Sequence, residues 1–169
     1  LVRAPDELAR LGAPYDIYTL SDIDRDGIPW EQYRLVVFLN AFTLPPARRE
    51  FIRSRLSTAG RSLLWLYAPA VTGMRVVEHD GADSLVEVPA EGLFAHLRGG
   101  LRYAFSREVQ PLFQIEADQE QVWGRYVSDG APALASRQFP THTAWYSAVG
   151  NLPTALWREI ARAAGGHIY

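Results

Sequence analysis

Acidic residues near the amino terminus imitate the start of a calcium-binding loop. The stretch Asp22-Ile-Asp-Arg-Asp-Gly27 has carboxylates at positions one, three and five and a glycine at six, as an EF-hand loop does. The twelfth position, which should be a bidentate Glu, is Tyr33. The flanks also have an extended rather than a helical pattern. We therefore interpret residues 22–33 as a polar connecting loop and predict no metal site there.

Two further groups of titratable residues have side chains of the types used in catalysis or metal binding. His79-Asp80-Gly-Ala-Asp83 offers an imidazole and two carboxylates but no further ligand, which favours a solvated turn. Glu116, Asp118 and Glu120 follow a strand-like run. A glycosidase acid and base must flank one sugar bond at roughly 5 to 10 Å, and this spacing instead favours a solvent-facing acidic loop.

Nucleophilic chemistry has little support in the sequence. The chain has no Cys, which excludes a thiol nucleophile and disulfides. No G-x-S-x-G turn occurs, and Ser62 precedes the strand that a serine nucleophile would have to follow. His142 has no paired nucleophile in view, so we interpret it as a hydrogen-bonded structural histidine. We expect no cofactor.

The elements that would position a site begin with two apolar runs around one amphipathic helix. Residues 33–40 and 61–69 are continuous apolar runs, and residues 45–59 start with prolines and end at Gly60. This pattern predicts strand, helix, strand in a parallel sheet, where ligands collect at the carboxyl ends of strands. Trp65 should be buried. The candidate ligand or interface residues are therefore strand-end residues and one tryptophan expected to be exposed in a polar turn: Asn40, Phe42, Tyr67, His142 and Trp30.

The remaining pattern predicts an α/β chain forming one domain over residues 1–169. We expect a flavodoxin-like three-layer domain with a mainly parallel sheet and an antiparallel extension. Residues 72–113 form an irregular insert with poor periodicity, containing a possible strand at 85–88 and a possible short helix at 92–97. Because a doubly wound sheet starts with a strand, we expect a first strand upstream of Leu1. The other predicted elements are helices at 5–12 and 152–164 and strands at 15–19, 112–116, 121–127, 133–137 and 142–147.

Composition excludes several classes. The 169 residues carry a formal net charge of -2, and all 17 basic residues are Arg, without a basic cluster. A nucleic-acid-binding protein normally has a basic stripe, so we exclude that class. No apolar run reaches the ~18 residues of a membrane span, and no signal-peptide pattern is present. We expect no membrane partner and a cytoplasmic location.

Five segments of the sequence follow one another in the order found in a known domain family. They are Leu11-Gly-Ala-Pro-Tyr-Asp-Ile-Tyr18, residues 33–42, residues 60–69, Trp123-Gly-Arg-Tyr126 and residues 157–169. Together they resemble the glutamine-amidotransferase-like domain of bacterial glycoside hydrolases, most closely the trimerisation domain of β-galactosidases. The match spans most of the chain except residues 72–113. The resemblance implies an assembly role beside a catalytic barrel that carries the two catalytic carboxylates. Amidotransferase activity itself is excluded because the required thiolate is absent.

Three functions follow as hypotheses. The first is a non-catalytic oligomerisation or interdomain module of a β-galactosidase-like glycoside hydrolase, whose partner is another copy or the adjacent barrel. The second is a compact glycoside hydrolase that pairs Asp80 or Asp83 with Glu116. The third is a domain that binds a sugar or small ligand at the strand ends without catalysis. Fold class alone does not decide among them.

Overall fold

Nine strands and three α-helices form in residues 4–68 and 71–169, the part of the chain that the computed structural model describes. The α-helices are α1 (Ala4–Ala9), α2 (Pro46–Phe51), which continues as a π-helix (Ile52–Leu56), and α3 (Thr154–Ala163). Short 3₁₀ turns span Leu20–Asp22, Trp30–Gln32 and Gly92–Phe94. The strands are β1 (Leu35–Leu39), β2 (Arg61–Leu66), β3 (Val76–His79), β4 (Val86–Val88), β5 (Leu101–Tyr103), β6 (Leu112–Ile115), β7 (Gln121–Tyr126), β8 (Pro132–Gln138) and β9 (His142–Ser147).

The predicted strand, helix, strand unit is confirmed. β1 and β2 pair in parallel, from Leu35 opposite Ser62 to Leu39 opposite Leu66. Between them, α2 starts at Pro46, and the connection to β2 passes through Gly60 with φ of 69°. Trp65 is completely buried, as expected, and stacks on Phe38 with ring centroids 4.0 Å apart. The predicted second strand also included Pro69, which lies outside the described residues.

The sheet as a whole contradicts the expected flavodoxin-like three-layer fold. Its seven strands run in the order β1-β2-β9-β8-β7-β4-β5. Only β1–β2 and β2–β9 are parallel pairs, whereas β9–β8, β8–β7, β7–β4 and β4–β5 are antiparallel. Three short α-helices in the described residues supply too little helix to cover both faces of such a sheet. The chain is therefore mostly β, with a mixed sheet.

Two predicted strands behave differently from expectation. Residues 15–19 form no strand and belong to an exposed segment without regular structure. β6 lies in the predicted run 112–116, but it pairs with β3 in a separate two-stranded antiparallel sheet instead of extending the main one. The predicted carboxyl-terminal helix is confirmed as α3, with Leu156 and Ile160 completely buried. None of the helices in the described ranges has the length and apolar character needed to cross a bilayer.

Candidate functional site

The direction of three strands divides the predicted site residues between two edges of the sheet. β1, β2 and β9 run the same way, so their carboxyl ends share one edge. Asn40, Phe42 and Tyr67 follow β1 and β2 at that edge. His142 instead begins β9, paired with Arg61 at the start of β2, and so lies at the opposite edge. The expectation that His142 joins the other three at the strand ends is wrong.

Two residues at the carboxyl edge adopt left-handed backbone conformations. Asn40 has φ of 51° and Tyr67 has φ of 65°. Such a conformation costs a residue with a side chain on the order of 1–2 kcal/mol. Ladder hydrogen bonds hold both turns in place: the Asn40 N–H donates to the Leu66 carbonyl at 3.3 Å, and the Tyr67 N–H donates to the Ser147 carbonyl at 2.8 Å. The edge is thus fixed by backbone bonds where the parallel strands end.

Four aromatic side chains at this edge form what we call the aromatic ledge: Phe42, Tyr67, Phe105 and Phe113. The Tyr67 ring lies at the centre, with its centroid 5.3 Å from each of the other three. Tyr67 and Phe113 are buried, whereas 49% of Phe42 and 44% of the neighbouring Leu39 are exposed. The ledge therefore presents an apolar surface on a support of packed rings.

Three tyrosine hydroxyls, including that of Tyr67 in the ledge itself, act as hydrogen-bond donors. Tyr67 donates to the Pro111 carbonyl at 2.7 Å, Tyr126 to the Phe113 carbonyl at 2.7 Å and Tyr146 to the Tyr67 carbonyl at 2.8 Å. Burial raises the pKa of all three phenols above their ordinary value. All three phenols therefore stay protonated at neutral pH and are poorly suited to act as a base or a nucleophile. Their hydrogen bonds to backbone carbonyls help to hold the ledge in place.

Trp30 lies inside the protein, which contradicts the expected exposed contact. Only 9% of its surface is exposed. Its ring packs against Tyr18, Tyr33 and Phe51 at centroid distances of 5.8, 5.9 and 6.3 Å. The polar residues around it in the sequence concealed this burial, because the 3₁₀ turn at Trp30–Gln32 places the tryptophan in the core while its neighbour Glu31 stays exposed.

His142 lines a basic cleft at the opposite edge of the sheet. The cleft has a volume of about 460 Å³, and its lining includes Arg49 and Arg53. The His142 ring stacks on Phe139 with centroids 4.7 Å apart, and burial lowers its pKa. Arg49 donates to the Leu44 carbonyl at 2.8 Å, so this guanidinium also holds the backbone. The stacking supports the structural interpretation of this histidine.

Three of the acidic residues with possible catalytic roles, Asp83, Glu116 and Glu120, have local partners. Glu116 pairs with Arg75 at 2.6 Å. Burial alone would raise the pKa of Glu120, but backbone N–H donors and Arg137 lower it overall. Asp83 accepts a hydrogen bond from the Leu85 N–H at 3.0 Å, as in a turn. Glu116, Glu120 and Asp83 thus each bind a different partner close to them.

His79 is buried, so the expected solvated turn is wrong at this residue. Its ring stacks on Tyr126 at 4.3 Å, and its Nδ1 lies 2.8 Å from Gln114 Oε1. His79 Nε2 lies 3.6 Å from an Asp129 carboxylate oxygen. Among the residues that the structure describes, no group of three or more His, Asp or Glu side chains is arranged to hold a metal ion.

Sequence reasoning missed half of the aromatic ledge. Phe105 and Phe113 come from the stretch with poor periodicity, which allowed no assignment of their neighbours in space. Residues 72–113 are no richer in aromatic residues than the whole chain, so no local signal in the sequence marked Phe105 and Phe113 as neighbours of Tyr67. Distant residues therefore complete the surface that the βαβ unit begins.

Solved structures with this fold include domains of glycoside hydrolases. One is a β-galactosidase from Bacillus circulans sp. alkalophilus, with a TM-score of 0.62, 14% identity and coverage of 86% of this chain. Another is the exo-β-1,4-mannosidase Op5Man5 from Opitutaceae bacterium strain TAV5, with a TM-score of 0.52, 14% identity and coverage of 81%. This chain spans 24% of the length of each. No protein family and no curated protein matches the sequence.

Proposed function

We propose that this chain is a non-catalytic oligomerisation or interdomain module of a β-galactosidase-like glycoside hydrolase, of the trimerisation-domain type. The aromatic ledge carries this proposal. It combines a half-exposed phenylalanine with a rigid aromatic support, and rigid aromatic anchors dominate protein interfaces because they offer contact area at low entropy cost. The fold shared with segments of two much longer glycoside hydrolases supports the same role.

The partner is another copy of the chain or the adjacent catalytic barrel. Phe42 is the central contact because it is 49% exposed and packs edge-on against Tyr67. Burying a whole phenylalanine side chain contributes roughly 1.5–3 kcal/mol, so covering the exposed half contributes about 1 kcal/mol. In a two-fold interface the residue contributes twice, and in the head-to-tail interface of a trimer it contributes once, so removing it should weaken each interface by roughly five- to thirtyfold.

The test is the solution mass of the chain and its Phe42→Ser variant. Light scattering across a concentration series should give an oligomer for the unchanged chain and a shift towards monomer for Phe42→Ser. Val127→Ser is the matched control, because Val127 is also a half-exposed apolar residue, at the end of β7 four strands from β1. A monodisperse monomer that also fails to associate with a β-galactosidase barrel would contradict the proposal.

Hydrolysis of nitrophenyl glycosides by the same sample tests the catalytic alternative. Turnover that is lost in Glu116→Gln or Asp83→Asn would place a carboxylate pair in this chain and overturn the non-catalytic assignment. Saturable binding of a simple galactoside, abolished by Tyr67→Ala without loss of folding, would instead favour the sugar-binding alternative. We expect neither turnover nor saturable binding.

A further inference from the structure

In the part of the chain that the structure describes, the outer edge of β1 has no strand partner. This edge faces an extended segment across an open space, which we call the edge slot. Residues 14–19 line one side of the slot and β1 lines the other, and the space between them has a volume of about 270 Å³. β1 is the terminal strand of the main sheet. Residues 14–19 are exposed and have no backbone hydrogen bond to β1. The two walls are therefore close in space but not joined as strands.

Side chains hold the outer wall of the slot in position. The Tyr33 hydroxyl donates to Asp16 at 2.6 Å, and the Tyr18 and Tyr33 hydroxyls lie 2.7 Å apart. The Tyr18 ring also packs on the buried Trp30. These contacts tie the extended segment to Tyr33 and Trp30, and no backbone hydrogen bond closes it onto β1.

Two ladder hydrogen bonds between β1 and β2 determine which β1 residues face the slot. The Ser62 N–H donates to the Arg34 carbonyl at 2.9 Å, and the Asn40 N–H donates to the Leu66 carbonyl at 3.3 Å. Backbone groups alternate in direction along a strand, so the even-numbered residues from 34 to 40 bond to β2. Leu35, Val37 and Leu39 therefore direct their N–H and C=O groups into the slot.

Most residues that line the slot are apolar or aromatic, with Asp16 and Thr19 as the exceptions. Ile17 is 71% exposed on the outer wall, Leu39 is half exposed on the inner wall, and Leu8 of α1 lies at the rim. Natural sheets protect an open edge with charge, proline or a covering element, and the β1 sequence Leu-Val-Val-Phe-Leu contains neither a charge nor a proline. Free backbone groups between largely apolar walls are suited to an extended apolar strand.

We propose that an extended apolar strand from another part of the same polypeptide, outside residues 1–169, occupies the edge slot and pairs with Leu35, Val37 and Leu39. A second copy of this chain fits less well, because residues 14–19 stand where the rest of its sheet would have to lie. The inference rests on the proposed function in one respect, the placement of this chain within a longer polypeptide. The 24% coverage of both structural neighbours agrees with that placement.

The test joins a probe strand to the amino terminus of residues 1–169 through a flexible Gly-Ser linker. The probe is Lys-Thr-Val-Ile-Val-Thr-Val-Lys, and a short linker presents it at an effective concentration in the millimolar range. The control fusion replaces the central Ile of the probe by Pro, which removes a donor and breaks the strand. Residue-resolved hydrogen exchange is measured for both proteins.

Pairing should slow exchange at Leu35, Val37 and Leu39 at least tenfold in the first fusion compared with the control. Val36 and Phe38 serve as internal references because their N–H groups already face β2. The Ile17→Asp variant should reduce the protection by charging the outer wall, whereas Val127→Asp should not. Equal exchange in both fusions would overturn the proposal.

A second copy in the slot would give a different result. Protection of the same three amides in unfused residues 1–169, rising with protein concentration alongside a dimeric mass, would assign the edge to self-association and overturn the proposal. The outcome is also separate from the assembly test. If the slot and the ledge are independent surfaces, the Phe42→Ser substitution should weaken association without changing hydrogen exchange at the Leu35, Val37 and Leu39 amides.

Discussion

Replacing Arg61 by Met should destabilise the βαβ unit more than any surface charge substitution. Arg61 is only 5% exposed, and its guanidinium donates to the carbonyls of Tyr33 at 3.0 Å, Arg55 at 3.0 Å, Leu56 at 2.9 Å and Trp30 at 2.7 Å. One side chain thus joins the end of the π-helix to the loop before β1. Burial lowers the pKa of Arg61, as expected for a cation largely removed from water.

The magnitude follows from the carbonyls that would lose their donor. The bonds to the Leu56 and Trp30 carbonyls are buried, and a hydrogen bond from a charged donor contributes about 1.5–3 kcal/mol, so losing these two costs roughly 4 kcal/mol. The bonds to the Tyr33 and Arg55 carbonyls are only part-buried, and water can replace them. The Met side chain packs in the same space and removes a desolvated charge, which offsets about 1 kcal/mol. A net loss of about 3 kcal/mol corresponds to a decrease in Tm of roughly 6–12 °C for a chain of this size.

Urea unfolding followed by tryptophan fluorescence measures this free energy. Arg61→Lys should fall between Arg61→Met and the unchanged chain, because an ammonium keeps the charge but lacks the planar fork of donors. Arg102→Met is the control, since Arg102 forms an exposed pair with Glu87 at 3.3 Å, and its unfolding midpoint should stay within error. A loss below about 1 kcal/mol for Arg61→Met would refute the reasoning that these bonds hold the unit together.

Three further predictions concern the ledge, the sheet and the basic cleft. Tyr67→Phe removes the hydrogen bond to the Pro111 carbonyl and should lower the free energy of unfolding by about 1 kcal/mol in urea. Gly124→Ala places a Cβ 3.0 Å from Val88 Cγ2, and this overpacking should cost roughly 1–3 kcal/mol in the same assay. Burial lowers the pKa of His142, so the unfolded chain takes up this proton first and stability falls as pH drops below about 6.5. His142→Gln should make the free energy of unfolding less dependent on pH between 7.5 and 5.5.

For each of these three predictions, a specific outcome would contradict the reasoning. Tyr15→Phe is the control for Tyr67→Phe because Tyr15 is exposed, and equal losses in the two variants would discount the hydrogen bond. A Gly124→Ala chain as stable as the unchanged one would mean that β7 shifts freely at its irregular register. The same pH dependence with and without His142 would assign the acid sensitivity to other groups.

Local sequence patterns were sufficient for the βαβ unit and insufficient for the sheet around it. Continuous apolar runs and a proline-started helix predicted β1, α2 and β2, because these signals depend on neighbouring residues. The partner and direction of β9 depend on contacts between distant parts of the chain, and no local period carries that information. The predictions of the position of His142 and of the fold class were both wrong because they depend on these long-range contacts.

Burial was also misjudged where a residue's neighbours in the sequence are polar. Trp30 and His79 both follow or precede charged residues, yet each lies in an aromatic cluster. In both positions, a turn or a strand end allows the ring to point into the protein while neighbouring side chains point to solvent. Sequence context predicted the exposure of the segment correctly but not the exposure of the side chain.

The terminal strand β1 links the two proposed surfaces. Its backbone leaves the groups of Leu35, Val37 and Leu39 open to the edge slot, and its carboxyl end leads directly to Phe42 on the aromatic ledge. Leu39 lines the slot and is half exposed, so an added strand would cover apolar surface three residues before Phe42. An open strand edge and an exposed aromatic residue just beyond the same strand are unfavourable for an isolated domain, and both are relieved if this chain is held within a larger assembly.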